Sequence, residues 1–79
     1  MTTIDMETKP YINDIIKDVR LLHPDARQIE IIREDEEGDI IKVMIEVRTS
    51  TTSLIYTYSI DKKTLKICSR ELNYAVPLL

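Results

Sequence analysis

Ile41-Lys42-Val43-Met44-Ile45-Glu46-Val47-Arg48 is the stretch on which the fold turns. Ile41, Val43, Ile45 and Val47 recur at every second position, and that period belongs to a strand with one buried face. After a polar turn over Thr49 to Ser53, Leu54, Tyr56, Tyr58 and Ile60 repeat the pattern, with Ile55, Thr57 and Ser59 between them. A second turn, Asp61-Lys62-Lys63-Thr64, leads into Leu65 and Ile67, the opening of a fourth strand. Upstream, Ile29 and Ile31 alternate with Gln28 and Glu30 in a strand ending near Arg33. Every link between these strands is too short for a parallel crossover, so the spacing predicts an antiparallel meander.

Farther upstream the period lengthens. Ile12, Ile15, Ile16, Val19 and Leu22 recur at helical spacing, with Asn13, Asp14, Lys17, Asp18 and Arg20 opposite and Leu21 widening the apolar stripe. Thr8 is placed to cap this helix, Pro10 suits its first turn, and Pro24 stops it near Leu22. One helix can cover only one face of a sheet. The expected fold is therefore α+β, a two-layer sandwich of one N-terminal helix on a four-stranded antiparallel meander. A single domain over 1–79 is expected: a loose arm at 1–8, helix at 9–22, sheet at 27–71 and an apolar tail at 72–79. The core is expected to gather Ile15, Val19, Ile31, Val43, Ile45, Val47 and Tyr56.

Composition narrows the class. With 79 residues from Met1 the chain reads as a complete small gene product. Hydrophobic residues make up 43% and charged residues 32%, a globular balance. Trp and Phe are absent, so aliphatic residues, Met and a few Tyr must fill the core. The start Met1-Thr2-Thr3-Ile4-Asp5-Met6-Glu7 has neither the basic nor the apolar run of a secretory signal, and no stretch reaches membrane-spanning length. Cys68 is the only cysteine, which excludes an internal disulfide. A reducing cytoplasm is expected. Net charge is −3, yet Glu34, Asp35, Glu36, Glu37 and Asp39 crowd one short stretch around Gly38. Taking those five from the fourteen acids leaves nine against eleven bases, a balance of +2 on the remaining body.

Catalytic chemistry has little to build on. His23 and Cys68 are the only His and Cys, and no local motif pairs them, so no catalytic residue and no cofactor are expected. One Cys and one His do not fill a zinc site, and the acidic stretch lacks the EF-hand arrangement. It reads as a solvated hairpin tip, with no metal expected.

The segment Ile60-Asp61-Lys62-Lys63-Thr64-Leu65-Lys66-Ile67, following a helix and a Pro-containing turn, resembles the PepSY domain, a cystatin-like fold. That pattern usually carries Gly after the Thr, where Leu65 stands here. The resemblance runs from about Ile12 to Ile67. It implies a helix-on-sheet fold, and a role in binding a partner or a protease, mostly outside the cytoplasm.

The second sheet face is the informative one. Ile32, Ile40, Met44, Ile55 and Cys68 fall in its register, where an exposed face normally reads polar. The end of the chain adds Tyr74, Val76, Leu78 and Leu79. Either the tail folds over its own sheet, or face and tail bury against another chain. The expected function is non-enzymatic protein binding, as a homodimer, adaptor or inhibitor, through Ile32, Ile40, Met44, Ile55, Tyr74, Val76, Leu78 and Leu79. The alternative is nucleic-acid binding through Lys42, Arg48, Lys66 and Arg70. Tyr56 and Tyr58, which could stack on bases, share the core register with Leu54 and Ile60.

Overall fold

The structure, a computed structural model, describes residues 9–78. It consists of α1 (Pro10–Leu22), β1 (Gln28–Glu37), β2 (Ile40–Arg48), β3 (Thr52–Asp61) and β4 (Ile67–Pro77). The strands form one antiparallel sheet in the order β1-β2-β3-β4, and α1 lies on one face, so the fold is α+β. Thr8 as a cap, the arm at 1–8 and Leu79 lie outside the described residues.

Pro10 opens α1, where its missing N–H costs no helical hydrogen bond. Tyr11, Ile15 and Val19, spaced by four, are buried, and Ile12 and Ile16 are half-buried beside them. A 13-residue helix is marginal alone, and burying three such side chains at about 1.5–3 kcal/mol each is what holds it. Leu21 does not widen the stripe; it is 82% exposed. The helix stops where Pro24 requires, and the His23 N–H bonds the Val19 carbonyl at 2.7 Å.

The β2–β3 register pairs Val47 with Leu54, Ile45 with Tyr56, Val43 with Tyr58 and Ile41 with Ile60. All eight are buried, and they form the floor of the core. Ile31 sits opposite Ile45 but is 44% exposed, against the expectation that it joins the core. The reason is the path of the helix. Lys9 and Tyr11 are bonded to Glu34 of β1, after which α1 crosses to Tyr58 of β3 and Arg70 of β4, leaving Ile31 at the open margin.

Two boundaries differ from expectation. β1 does not end near Arg33 but runs through the acids to Glu37, and Gly38-Asp39 alone makes the turn. Gly38 has φ 62°, the left-handed region that a tight hairpin favours. β4 in turn absorbs most of the expected tail: Leu72 pairs with Tyr56, Tyr74 with Ile55, Val76 with Ser53 and Pro77 with Thr52. The sheet therefore covers 28–77 rather than 27–71, because a chain in register with β3 satisfies its backbone there.

The acidic stretch is consequently strand as far as Glu37 rather than a turn, and it stays largely exposed, as a solvated hairpin end should. A bulge between Ile31 and Arg33 leaves Ile32 without a partner on β2. Beyond it Glu34 lies opposite Val43 and Glu36 opposite Ile41, on the helix side, while Asp35 and Glu37 face outward. Four of the five acids each meet a different base: Glu34 with Lys9 at 2.9 Å, Asp35 with Arg33 at 2.6 Å, Glu36 with Lys62 at 3.0 Å, Glu37 with Lys42 at 3.5 Å.

In the β3–β4 turn, Asp61 Oδ1 accepts the N–H groups of Lys63 and Thr64 at 2.7 and 3.2 Å. Leu65 follows with φ 60°, the one described non-glycine residue in the left-handed region, and its side chain packs against the core.

Candidate functional site

The residues expected to form one partner-binding face divide into three groups. Ile32 sits in the bulge of β1, half exposed, at one edge of the sheet. Ile40 and Met44, on β2, are half-buried among polar neighbours, where Met44 lines a shallow depression of about 340 Å3 together with Arg33, Asp35, Lys42 and Glu71. Ile55, Tyr74 and Val76 come together at the far side, with Ile55 paired to Tyr74 and Val76 to Ser53. Ile55 is only 6% exposed, whereas Tyr74 is 58% exposed and Val76 and Leu78 are also open. The outer face as a whole is thus not apolar. Ser53, Thr57 and Ser59 line β3, and Ser53 and Arg48 both hold Glu46 Oε2, at 2.6 and 3.1 Å. Those two bonds, the Ser53 hydroxyl first, keep the Glu46 carboxyl below its ordinary value.

The four basic residues do not form a row. Lys42 and Arg48 lie on the outer face, each paired with an acid, Glu37 and Glu46. Lys66 is in the turn, where its carbonyl accepts the Asp61 N–H. Arg70 is on the helix side, correcting its expected outward placement, because the bulge at Cys68 shifts β4 by one residue. Its Nη1 donates to Asp18 Oδ2 at 2.7 Å. Tyr56 and Tyr58 are buried in the core.

His23 and Cys68 have separate partners. His23 Nε2 is 2.8 Å from the Tyr56 hydroxyl, and Cys68 Sγ lies 3.9 Å from the Lys66 carbonyl. Among the described residues no three His, Cys, Asp or Glu side chains converge as metal ligands, and no helix is long and apolar enough to cross a membrane.

What remains is the edge of β4. The sheet has two edges, β1 and β4. The β1 edge carries Arg33, Glu34, Asp35, Glu36 and Glu37, a charge guard of the kind that deters strand pairing. β4 carries one base and one acid, Arg70 and Glu71, and exposes Leu72 at 48%, Tyr74, Val76 and, just beyond, Leu78. Leu72 was not among the expected site residues. Its signal was present: Leu72, Tyr74, Val76 and Leu78 alternate with Asn73, Ala75 and Pro77, a strand period within the presumed tail.

The backbone of β4 points in two directions that can be assigned. Asp61 N–H bonds the Lys66 carbonyl at 2.9 Å, and Leu78 N–H bonds the Thr51 carbonyl at 2.8 Å. Odd-numbered residues of β3 therefore bond β4, and the partners of the even-numbered ones turn their N–H and C=O groups outward. Those partners are Ile67, Arg70, Leu72, Ala75 and Pro77. Pro77 has no N–H to offer, so it closes the C-terminal end of the open edge.

Comparison with protein-family models, with curated proteins and with solved structures finds no match.

Proposed function

We propose that this chain is a small non-enzymatic protein-binding module that takes an extended segment of its partner beside β4. The observation that carries the reading is the β4 edge itself. Outward backbone groups at Ile67, Arg70, Leu72 and Ala75 are flanked by exposed Leu72 on the helix side and by exposed Tyr74 on the other. Strand addition uses these two components together, main-chain bonds for affinity and alternate side chains for selectivity. The β1 edge also exposes Ile31 and Ile32, but it sets them among Glu30, Arg33 and the four acids from Glu34 to Glu37, and is the less suited of the two. Its resemblance to partner-binding PepSY domains points to the same class of role. A reducing cytoplasm suits an exposed single thiol such as Cys68.

Against the alternative of nucleic-acid binding, Lys42, Arg48 and Arg70 are each paired with an acid, and Arg70 lies on the helix side, away from Lys42 and Arg48. A photo-reactive residue at Leu72, compared with one at Glu30 on β1, tests the docking reading in cells. Adducts to protein from position 72 and not from position 30 are expected. Equal labelling from both edges would remove β4 as the docking element.

A further inference from the structure

We infer that the strand received by β4 is β4 of a second copy, running antiparallel, so that two sheets join into one. The inference rests on the docking reading above and adds the identity of the partner. Its basis is a symmetry within β4. The pairing with β3 skips Cys68 and Asn73, so β4 has two bulges, one on each side of Glu71. Between them they set the outward-turned residues that offer both N–H and C=O at Ile67, Arg70, Leu72 and Ala75, with Pro77, which has no N–H, lying beyond them. That series reads the same from either end. The intervals are three, two and three residues, and its centre is Glu71.

An edge with irregular spacing ordinarily resists strand addition, because a regular partner falls out of step at each bulge. A partner with the same two bulges in mirrored order stays in step throughout, and a second copy of β4 supplies that order. Turned antiparallel about Glu71, it places Ile67 opposite Ala75 and Arg70 opposite Leu72, and the reverse on the other side of the axis. Every outward N–H and C=O in that span then faces a complementary group. These four residues all lie on the helix side of the sheet, so the side chains also match in face. Leu72 meets the aliphatic stem of Arg70, whose guanidinium is already held by Asp18.

The same geometry closes. Pairing about a two-fold axis uses up both β4 edges and leaves only the charge-guarded β1 edges, whereas joining β4 to β1 would continue without end. One contact opposes association. Glu71 lies on the axis with its side chain on the outer face, so two carboxylates meet directly across the seam, at a Cα separation of about 4.5 Å for such a pair. Like charges directly opposite weaken a pair of strands. The interface is therefore weak by construction, and adjustable at a single residue.

Analytical ultracentrifugation of the purified full chain across a concentration range up to about 100 μM tests this. A monomer–dimer equilibrium is expected for the wild type. Glu71→Gln should tighten it about two- to five-fold by removing the repulsion. Ala75→Pro removes an N–H that β3 does not use, so it should abolish the dimer while preserving the melting transition. Monomers for both the wild type and Glu71→Gln would overturn the inference, as would a dimer that Ala75→Pro leaves intact. If such monomers still form adducts with another protein from position 72, only the second copy is refuted. If those adducts are missing too, the docking reading falls with it.

Discussion

The Tyr58 hydroxyl donates to Asp18 Oδ2 at 2.6 Å, joining α1 to β3 across 40 residues of chain. Arg70 Nη1 donates to the same oxygen at 2.7 Å, so a single carboxylate fastens the helix to both β3 and β4. Burial, then the Asp18 carboxylate, hold the Tyr58 hydroxyl well above its ordinary range. Partial burial pushes the Asp18 carboxyl up, but the Tyr58 and Arg70 bonds outweigh it and the net shift is down.

That shift sets an acid limb. Because the folded carboxyl titrates below the ordinary 3.8, the unfolded chain takes up this proton first as pH falls. The stabilisation is complete above the ordinary carboxylate range and is lost as pH falls through the folded value. Asp18→Asn should cost about 1–3 kcal/mol at pH 7 and flatten the decline below pH 4. Urea unfolding at pH 7 and pH 3 measures both. An unchanged acid limb would show that other carboxylates set it.

Val43 and Ile45 are fully buried at the centre of the sheet. Replacing either with Asp puts an unpaired charge in the core and should abolish the cooperative melting transition. Ile31→Asp, by contrast, should keep the transition, because nearly half of that side chain is already in water. Thermal melts followed by circular dichroism separate the three variants.

Leu65 sets two costs against each other. Its left-handed backbone is strained by roughly 1 kcal/mol for a residue with a Cβ, while its side chain gains from packing on the core. Leu65→Ala loses the packing and keeps the strain; Leu65→Gly loses the packing and relieves it. Leu65→Gly should therefore be the more stable of the two by about 1 kcal/mol, the reverse of the usual order in a folded chain. Denaturant midpoints of the pair decide this.

Since each of Glu34, Asp35, Glu36 and Glu37 has its own base, millimolar calcium or magnesium should leave the melting temperature nearly unchanged. A rise that vanishes when Asp35, Glu37 and Asp39 become amides would mean that these acids gather around a cation.

How much could be read in advance follows from what is local. The helix around Ile15 and Val19, and the strands around Val43 and Tyr56, announce themselves by period, and their pairing follows from short links. Bulges leave no such mark. Nothing in Ile32, Cys68 or Asn73 as residue types shows that each lacks a cross-strand partner, yet these three decide the faces of Glu34, Arg70 and Leu72. The exposure of Ile31 depends on the diagonal path of α1, which the hydrogen bonds of Tyr11, Asp18 and His23 define only in the folded molecule. The run from Leu72 to Leu78 was readable as strand. Its apolar composition and its position after a short fourth strand made it resemble a tail.

Ile32 behaves as a phase marker for everything between it and the hairpin. Were it paired in register instead of bulged, the alternation of β1 would shift by half a period. Arg33 and Asp35 would then turn to the helix, and Glu34 and Glu36 to the opposite side, reversing which charges meet Lys9 and the Tyr11 hydroxyl. The polarity of the helix's landing site is thus written in pairing register rather than in residue identity. Deleting Ile32 would straighten β1 and keep Arg33 opposite Met44 and Glu34 opposite Val43, so the helix would find the same charges on a regular strand.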